Sequence, residues 1–565
     1  MGAWLVLGVA AVALGCGDDT RGDDPFSGVG LSNGGTDPGS ASADGDDGAG
    51  TGGGADDDGG GGEGPKLDVQ GQGDADDDGG GDDGPKICHV VDMQDGMAGC
   101  NDVAPPDSFE PEVQWAWSGV DGLDQVVTTP LVANLTDDND DGVVDLCDVP
   151  DIVVIAYKSS TEASAAGPST GYYGNAVVLD GGTGSVHAVG GHTLLTTHTP
   201  ALADIDNDGV AEIIAVELQE IANFADNPPG RLVAFEADGT PLWGGQWDLN
   251  AHDLWMGGVA VADLDNNGDA EIMADGRVFD HNGTQLWAVE DRGQGLATAV
   301  DLDNDGDLEV VLGAAAYQHD GTLLFDHSGG DYGNSVVADF DNDGLPEIAV
   351  VHWTGGITII EHDGTVSTST AMSTHAAERP AAVHDIDGDH SVEILIGHEN
   401  SFSVLDANLG LRWSATTDDW SGASGSTAFD FLGDGSAEAM YADETDLFVY
   451  GQGGGTMLNS PRASWTALEY PVVADVDNDG SAEIVVTSNY GYYGSPSPAV
   501  QVIRDIDDRW VPARRIWNQH TYHVTNIRED GTLPMVEPHH WETLNTFRTQ
   551  AQIADGGVCD PVPEG

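Results

Sequence analysis

From about residue 110 onward the apolar positions come in short runs and not at helical spacing. A small-residue stretch such as Pro200-Ala201-Leu202-Ala203 leads into an acidic segment, and a β-branched run such as Ile213-Ile214-Ala215-Val216 follows it. Next comes a hairpin whose turn precedes an aromatic strand: Asp238-Gly239 before Leu242-Trp243, Asn282-Gly283 before Leu286-Trp287, Asp320-Gly321 before Phe325. Short β-branched and aromatic runs bounded by Asx-Gly turns predict strands and hairpins. The unit reads strand, acidic loop, strand, strand, turn, strand. Repeated along the chain, it predicts an all-β fold: a β-propeller of seven or eight four-stranded blades, with eight favoured by the number of loops.

The acidic segment recurs eight times as D-x-[D/N]-x-[D/N]-G-x-x-[E/D], with starts 38 to 67 residues apart. Its acid and amide positions are Asp137, Asn139, Asp141 and Asp145 in the first copy, then Asp204, Asp206, Asp208 and Glu212 in the second. The third and fourth carry Asp263, Asp265, Asn267 and Glu271, and Asp301, Asp303, Asp305 and Glu309. The fifth and sixth carry Asp339, Asp341, Asp343 and Glu347, and Asp385, Asp387, Asp389 and Glu393. The seventh keeps Asp430, Asp434 and Glu438, and the eighth has Asp475, Asp477, Asp479 and Glu483. Oxygens at alternate positions of a tight loop converge on one hard cation, the glycine permits the turn, and the last acid closes the cage. An all-oxygen set of this kind suits Ca²⁺ in a structural role. An ion-free Asx-Gly turn does not need four acids. The sixth copy has His390 in the glycine position, which strains the turn, and the seventh has Leu432 in place of a ligand. Six or seven occupied sites are expected.

These loops and their flanking strands resemble the FG-GAP or VCBS repeats of integrin α-chain propellers and of large exported bacterial proteins. The resemblance spans roughly residues 110–550. It implies a calcium-binding propeller, with ligation at positions 1, 3, 5 and 9 of each copy named above. Val113-Gln114-Trp115-Ala116-Trp117 has the look of a blade's last strand although it precedes the first loop. It is therefore expected to complete the final blade and close the ring.

Composition changes the picture at the ends. The chain has 565 residues, 99 Asp plus Glu against 16 Lys plus Arg, a formal net charge of −83, and 80 glycines. Such a charge excludes nucleic acid and anionic lipid surfaces as partners. Residues 17–86 are Gly, Asp, Ser and Pro with almost nothing apolar, and are expected to form a disordered, self-repelling tether. Before them, Trp4 to Leu14 is an apolar run too short to span a membrane, ending at Cys16. Residues 1–16 thus resemble a bacterial lipoprotein signal with Cys16 as the lipidated residue, and the membrane is met through that anchor only. No Lys or Arg precedes the run, which leaves a start codon upstream open. An exported, outer-membrane or cell-surface lipoprotein is expected, with a secreted protein as the alternative. The other cysteines are Cys88, Cys100, Cys147 and Cys559. In an exported chain they suggest two disulfides, Cys88 with Cys100 and Cys147 with Cys559 being one of three connectivities. Residues 87–109 read as a small lead-in and 551–565 as a tail.

Function is less legible. A cluster near the end of the chain, Arg514, Arg515, His520, Tyr522, His523 and Trp541, has side chains able to receive an anionic or sugar ligand. The competing reading is a plug packed across the last blade. There is no H-E-x-x-H, and no catalytic residue is assigned. The expectation is a non-enzymatic, calcium-binding surface propeller for adhesion or recognition of an extracellular protein or glycan. A lectin and a polysaccharide-degrading enzyme like the rhamnogalacturonan lyases are the alternatives.

Overall fold

The first strand of each unit is short, made of small or β-branched residues and wholly buried, as in Ala201–Ala203, Ala260–Ala262 and Val472–Ala474. The last strand is exposed at alternate positions, as in Gln285–Ala288 and Leu411–Thr416. That gradient orders each sheet from a crowded inner edge to a solvated outer one. The computed structural model describes residues 97–99, 103–105, 108–158, 173–219, 228–247, 249–250, 256–289, 296–329, 333–352, 355–370, 380–489, 497–554 and 557–560. The expected signal peptide, the Cys16 anchor and the 17–86 tether lie outside these residues. So do the side chains of Cys88, Cys100 and Cys559, and with them the expected cysteine pairings.

Among the described residues the strands form six separate four-stranded antiparallel sheets and one eleven-stranded sheet. The larger sheet contains two further four-strand runs, beginning at Leu131–Ala133 and Ala201–Ala203, bridged by Leu194–Leu195. We number the units first to eighth by their acidic loops. The fold is an all-β propeller, as the repeat pattern predicts.

The final unit is completed from the other end of the chain. Pro111–Trp117 pairs antiparallel with Val500–Asp505, with Trp117 opposite Val500 and Pro111 opposite Asp505. The expected closing strand is thus observed. A recurring contact joins successive units: the aromatic of one outer strand lies against the turn glycine of the next unit. A Cβ on Gly283 would meet the Trp243 ring at 2.5 Å, and one on Gly184 would meet Trp115 at 2.4 Å. Trp287, Phe325 and Trp413 crowd Gly321, Gly364 and Gly454 in the same way. The Trp115 contact joins the last unit to the first. Where the preceding outer strand carries Thr368 or Leu458 in place of a ring, the left-handed turn residue is Leu409 (φ 64°) or Asp508 (φ 50°). The trailing aromatics are therefore inter-unit core.

The C-terminal segment runs through the centre. Trp517 exchanges backbone hydrogen bonds with Val132 of the first unit, and Asn518 accepts from Leu202 of the second. The Gln519 side chain accepts from Val261 of the third, and Thr521 donates to Ala297 of the fourth. Arg548 donates to the carbonyls of Ser335 and Ala381 in the fifth and sixth. Val511 donates to Phe431 in the seventh, and Gln550 to Val473 in the eighth. One segment thus contacts every unit. Beyond it, Gly557–Asp560 pairs parallel with Met97–Gly99, so the lead-in and the tail share a small three-stranded sheet.

Candidate metal centres

Seven of the eight loops share one backbone plan. The first Asp accepts the N–H groups of positions five and six, as Asp339 does from Asp343 (3.1 Å) and Gly344 (2.8 Å). Position four adopts a left-handed conformation, at Asn207, Asn266, Asn304, Asn342 and Asn478 with φ of 55–62°. Asn tolerates that region better than most residues, so its recurrence there was a readable signal that sequence reasoning missed. In the sixth loop Gly388 holds this position, and His390 has φ 67° where the other loops have glycine. The anticipated strain is present.

The ninth-position Glu begins the following strand and is buried. One carboxylate oxygen accepts the N–H of position two: Ile205 to Glu212 at 2.8 Å, Leu302 to Glu309 at 2.8 Å, Phe340 to Glu347 at 2.7 Å, Val476 to Glu483 at 2.9 Å. The other oxygen, Oε1, has no hydrogen-bond partner in any of these four residues, each at most 1% exposed. A buried carboxylate oxygen without a donor is costly unless a cation meets it. Asp204, Asp206, Asp208 and Glu212 bring ligand oxygens within 4.8 Å of one another, as do Asp339, Asp341, Asp343 and Glu347. Asp263, Asp265 and Glu271 cluster likewise, as do Asp301, Asp303 and Glu309. Burial, and then the neighbouring carboxylates, push Glu212, Glu309 and Glu347 up to about 8 and Glu271 to about 7. Glu483 is raised well above its ordinary value for the same reasons. These residues fit a hard divalent ion.

Three loops keep this turn and differ in the groups around it. In the sixth, the Arg412 guanidinium stands among the acids, paired with Asp387 through Nη1, Asp389 at 3.1 Å and Glu393 at 3.2 Å. That loop thus has a cation of its own beside Asp385, Asp387, Asp389 and Glu393, the set expected to ligate calcium. In the seventh, Asp430 and Glu438 keep their backbone bonds to Gly435 and Phe431, and Leu432 supplies no ligand oxygen.

The first loop is displaced. Asp137 accepts from Asp141 and Gly142 as its sequence suggests, and Asn139 accepts from Asp141. Asp145, however, does not lead a strand, and its carboxylate accepts the Cys147 N–H. The strand begins at Asp151, paired to Ala133, and Asp151 accepts the Leu135 N–H in the role Glu plays elsewhere. The expected set ending at Asp145 is thereby corrected. Asp138, Asp180 and His187 cluster there instead. The longer loop hid this register from the motif.

His187 and Arg412 occupy one structural position, three residues after the left-handed turn residue of the outer hairpin. Leu242, Leu286, Leu324, Ser367 and Met457 hold it in other units. In the last unit Gln114 precedes the aromatic and donates to Asp477 at 2.6 Å.

The six C-terminal candidates do not form a ligand surface, and that expectation is corrected. Arg514, Arg515, His520, Tyr522, His523 and Trp541 are all buried. Arg515 pairs with Glu529 at 2.8 Å. Arg514 donates to Tyr522 and to the carbonyls of Val524 and Ile527, and Tyr522 donates to Gln550. His520 meets the Leu468 carbonyl, and His523 meets Glu537. Trp541 stacks on His539 inside the core around Val383 and Phe547. Their polar groups serve the plug.

No protein-family model and no curated protein matches the chain. Among solved structures it is similar to the V. cholerae biofilm matrix protein Bap1, with a TM-score of 0.68 and 19% identity over 80% of this chain and 100% of that one. It is also similar to the exotype rhamnogalacturonan lyase YesX (TM-score 0.49, 16% identity, 71% and 75% covered). The Bacillus licheniformis rhamnogalacturonan lyase PL11 gives 0.44 and 16% over 79% and 82%. At such identities the likeness concerns the fold alone, and that fold is the β-propeller.

Proposed function

We propose that this chain is a non-enzymatic, calcium-binding propeller of eight blades that recognises an extracellular protein or glycan while tethered to a cell surface. The observation that carries the calcium reading is the repeated buried Glu oxygen left without a donor beside converging carboxylates. Loops two to five and eight hold the ions, on the FG-GAP or VCBS plan, and loop six does not. A recognition role, with ligands met on the outer surfaces, is supported by the central segment, which occupies the place where a ring fold would assemble a shared site from several blades. The matrix role in the name of Bap1 agrees with a surface or matrix setting. Cys16 would carry the lipid, and residues 17–86 would space the propeller from the membrane.

The test is a screen of the full chain against glycans, polysaccharides and matrix proteins, with calcium and with chelator, reading retention and product together. Calcium-dependent retention without product is expected. Release of unsaturated oligosaccharide would replace this reading with a lyase.

A further inference from the structure

We propose that the first unit holds a transition-metal ion of the zinc class on His187, Asp138 and Asp180. The geometry starts with the proton on the ring. His187 Nδ1 lies 2.9 Å from the Thr136 hydroxyl, and that hydroxyl donates its single proton to Asp151 Oδ2 at 3.0 Å. Toward the imidazole the hydroxyl therefore accepts, which puts a ring proton on Nδ1 and turns Nε2 to the opposite side as the nitrogen that a metal would meet.

Nε2 faces Asp138 Oδ1 and Asp180 Oδ2, each at 3.6 Å. Those separations are long for hydrogen bonds. They match the roughly 3.4 Å between neighbouring ligand atoms on a tetrahedral ion with bonds of about 2.0–2.1 Å. Asp151 stands behind the ring. It is fully buried, and its Oδ1 lies 3.2 Å from Nδ1. A buried carboxylate behind a histidine orients the ring and strengthens it as a ligand. One imidazole nitrogen with carboxylate oxygens selects zinc-like ions, whereas calcium and magnesium favour oxygen alone. His187, Asp138 and Asp180 keep 23%, 21% and 15% of their side-chain surface exposed, so a further ligand position opens to water.

The site does not depend on the calcium reading. Its place in the fold is the outer-strand position where three other units carry leucine, here changed to histidine above a lengthened loop. The full chain, stripped of metal and then saturated with calcium, should take up one Co²⁺ with visible d–d absorption, displaced by Zn²⁺. His187→Leu and, separately, the surface change Asp138→Asn should each weaken cobalt binding more than about tenfold and leave calcium stoichiometry unchanged. Cobalt bound equally well by either variant would overturn the proposal. So would no stoichiometric cobalt uptake in the presence of calcium.

Discussion

The acidic loops and the central segment both bury charge, and they balance it from opposite directions. In the loops Glu212, Glu309, Glu347 and Glu483 each keep an oxygen with no donor inside the fold, and on the proposed reading the missing charge comes from solution. In the central segment Arg515 meets Glu529, and Arg514 is held by two carbonyls and a tyrosine. One region leaves room for an ion, and the other is completed by its own side chains. Charge balance in this chain is therefore local, and the net charge of −83 says little about where the fold is vulnerable.

Removing the ions breaks the first region alone. Chelation is expected to lower the melting temperature by more than about ten degrees, with recovery in calcium and little in magnesium, since several sites are linked to folding at once. The calcium-free chain should also show a pH slope. The loop carboxyls titrate near 4.5 when unfolded and near 8 when folded, as for Glu212 and Glu347. A raised carboxyl gives stability that is present below the unfolded value and lost as pH rises through the folded one. Denaturant melts in chelator should therefore weaken from pH 5 to pH 8, and calcium should abolish or reverse that trend. An unchanged melt in chelator would end the comparison.

Breaking the second region should cost less and ignore calcium. Arg515→Ala leaves Glu529 buried without its partner, and a loss of about 3–5 kcal/mol is expected in urea melts. Equal losses with calcium and with chelator would show the two regions to be independent. The smallest effect sharpens the contrast inside the loops. Arg412→Leu gives the sixth unit the residue found in the second, third and fourth, and should raise bound calcium by one ion per chain. Its stability should fall only in chelator, and an unchanged stoichiometry would show that Arg412 does not stand in for the ion.

Much of this architecture was readable along the chain. The repeat, the four-strand unit and the closing strand around Trp115 rest on neighbours in sequence, where alternation, turn residues and acid spacing act directly. The turn and the buried ninth-position Glu were readable for the same reason in copies two to five and eight. The first copy misled because nine residues with the right spacing lie inside a longer loop, and only pairing of Ala133 with Asp151 sets the register. Arg412 and His187 were missed because each reaches its acidic loop from the outer strand of its unit, outside the motif.

The sequence by itself determined that this chain would build a ring of small sheets with cation-seeking loops, because both depend on short-range spacing. Tertiary structure alone decided what stands over each loop, and that the Arg-, His- and Trp-rich end is a plug. Burial and partner choice are set by where distant segments meet: Trp517 reaches Val132, and Arg548 reaches Ser335 and Ala381, across hundreds of residues or around the ring. No local pattern carries that information.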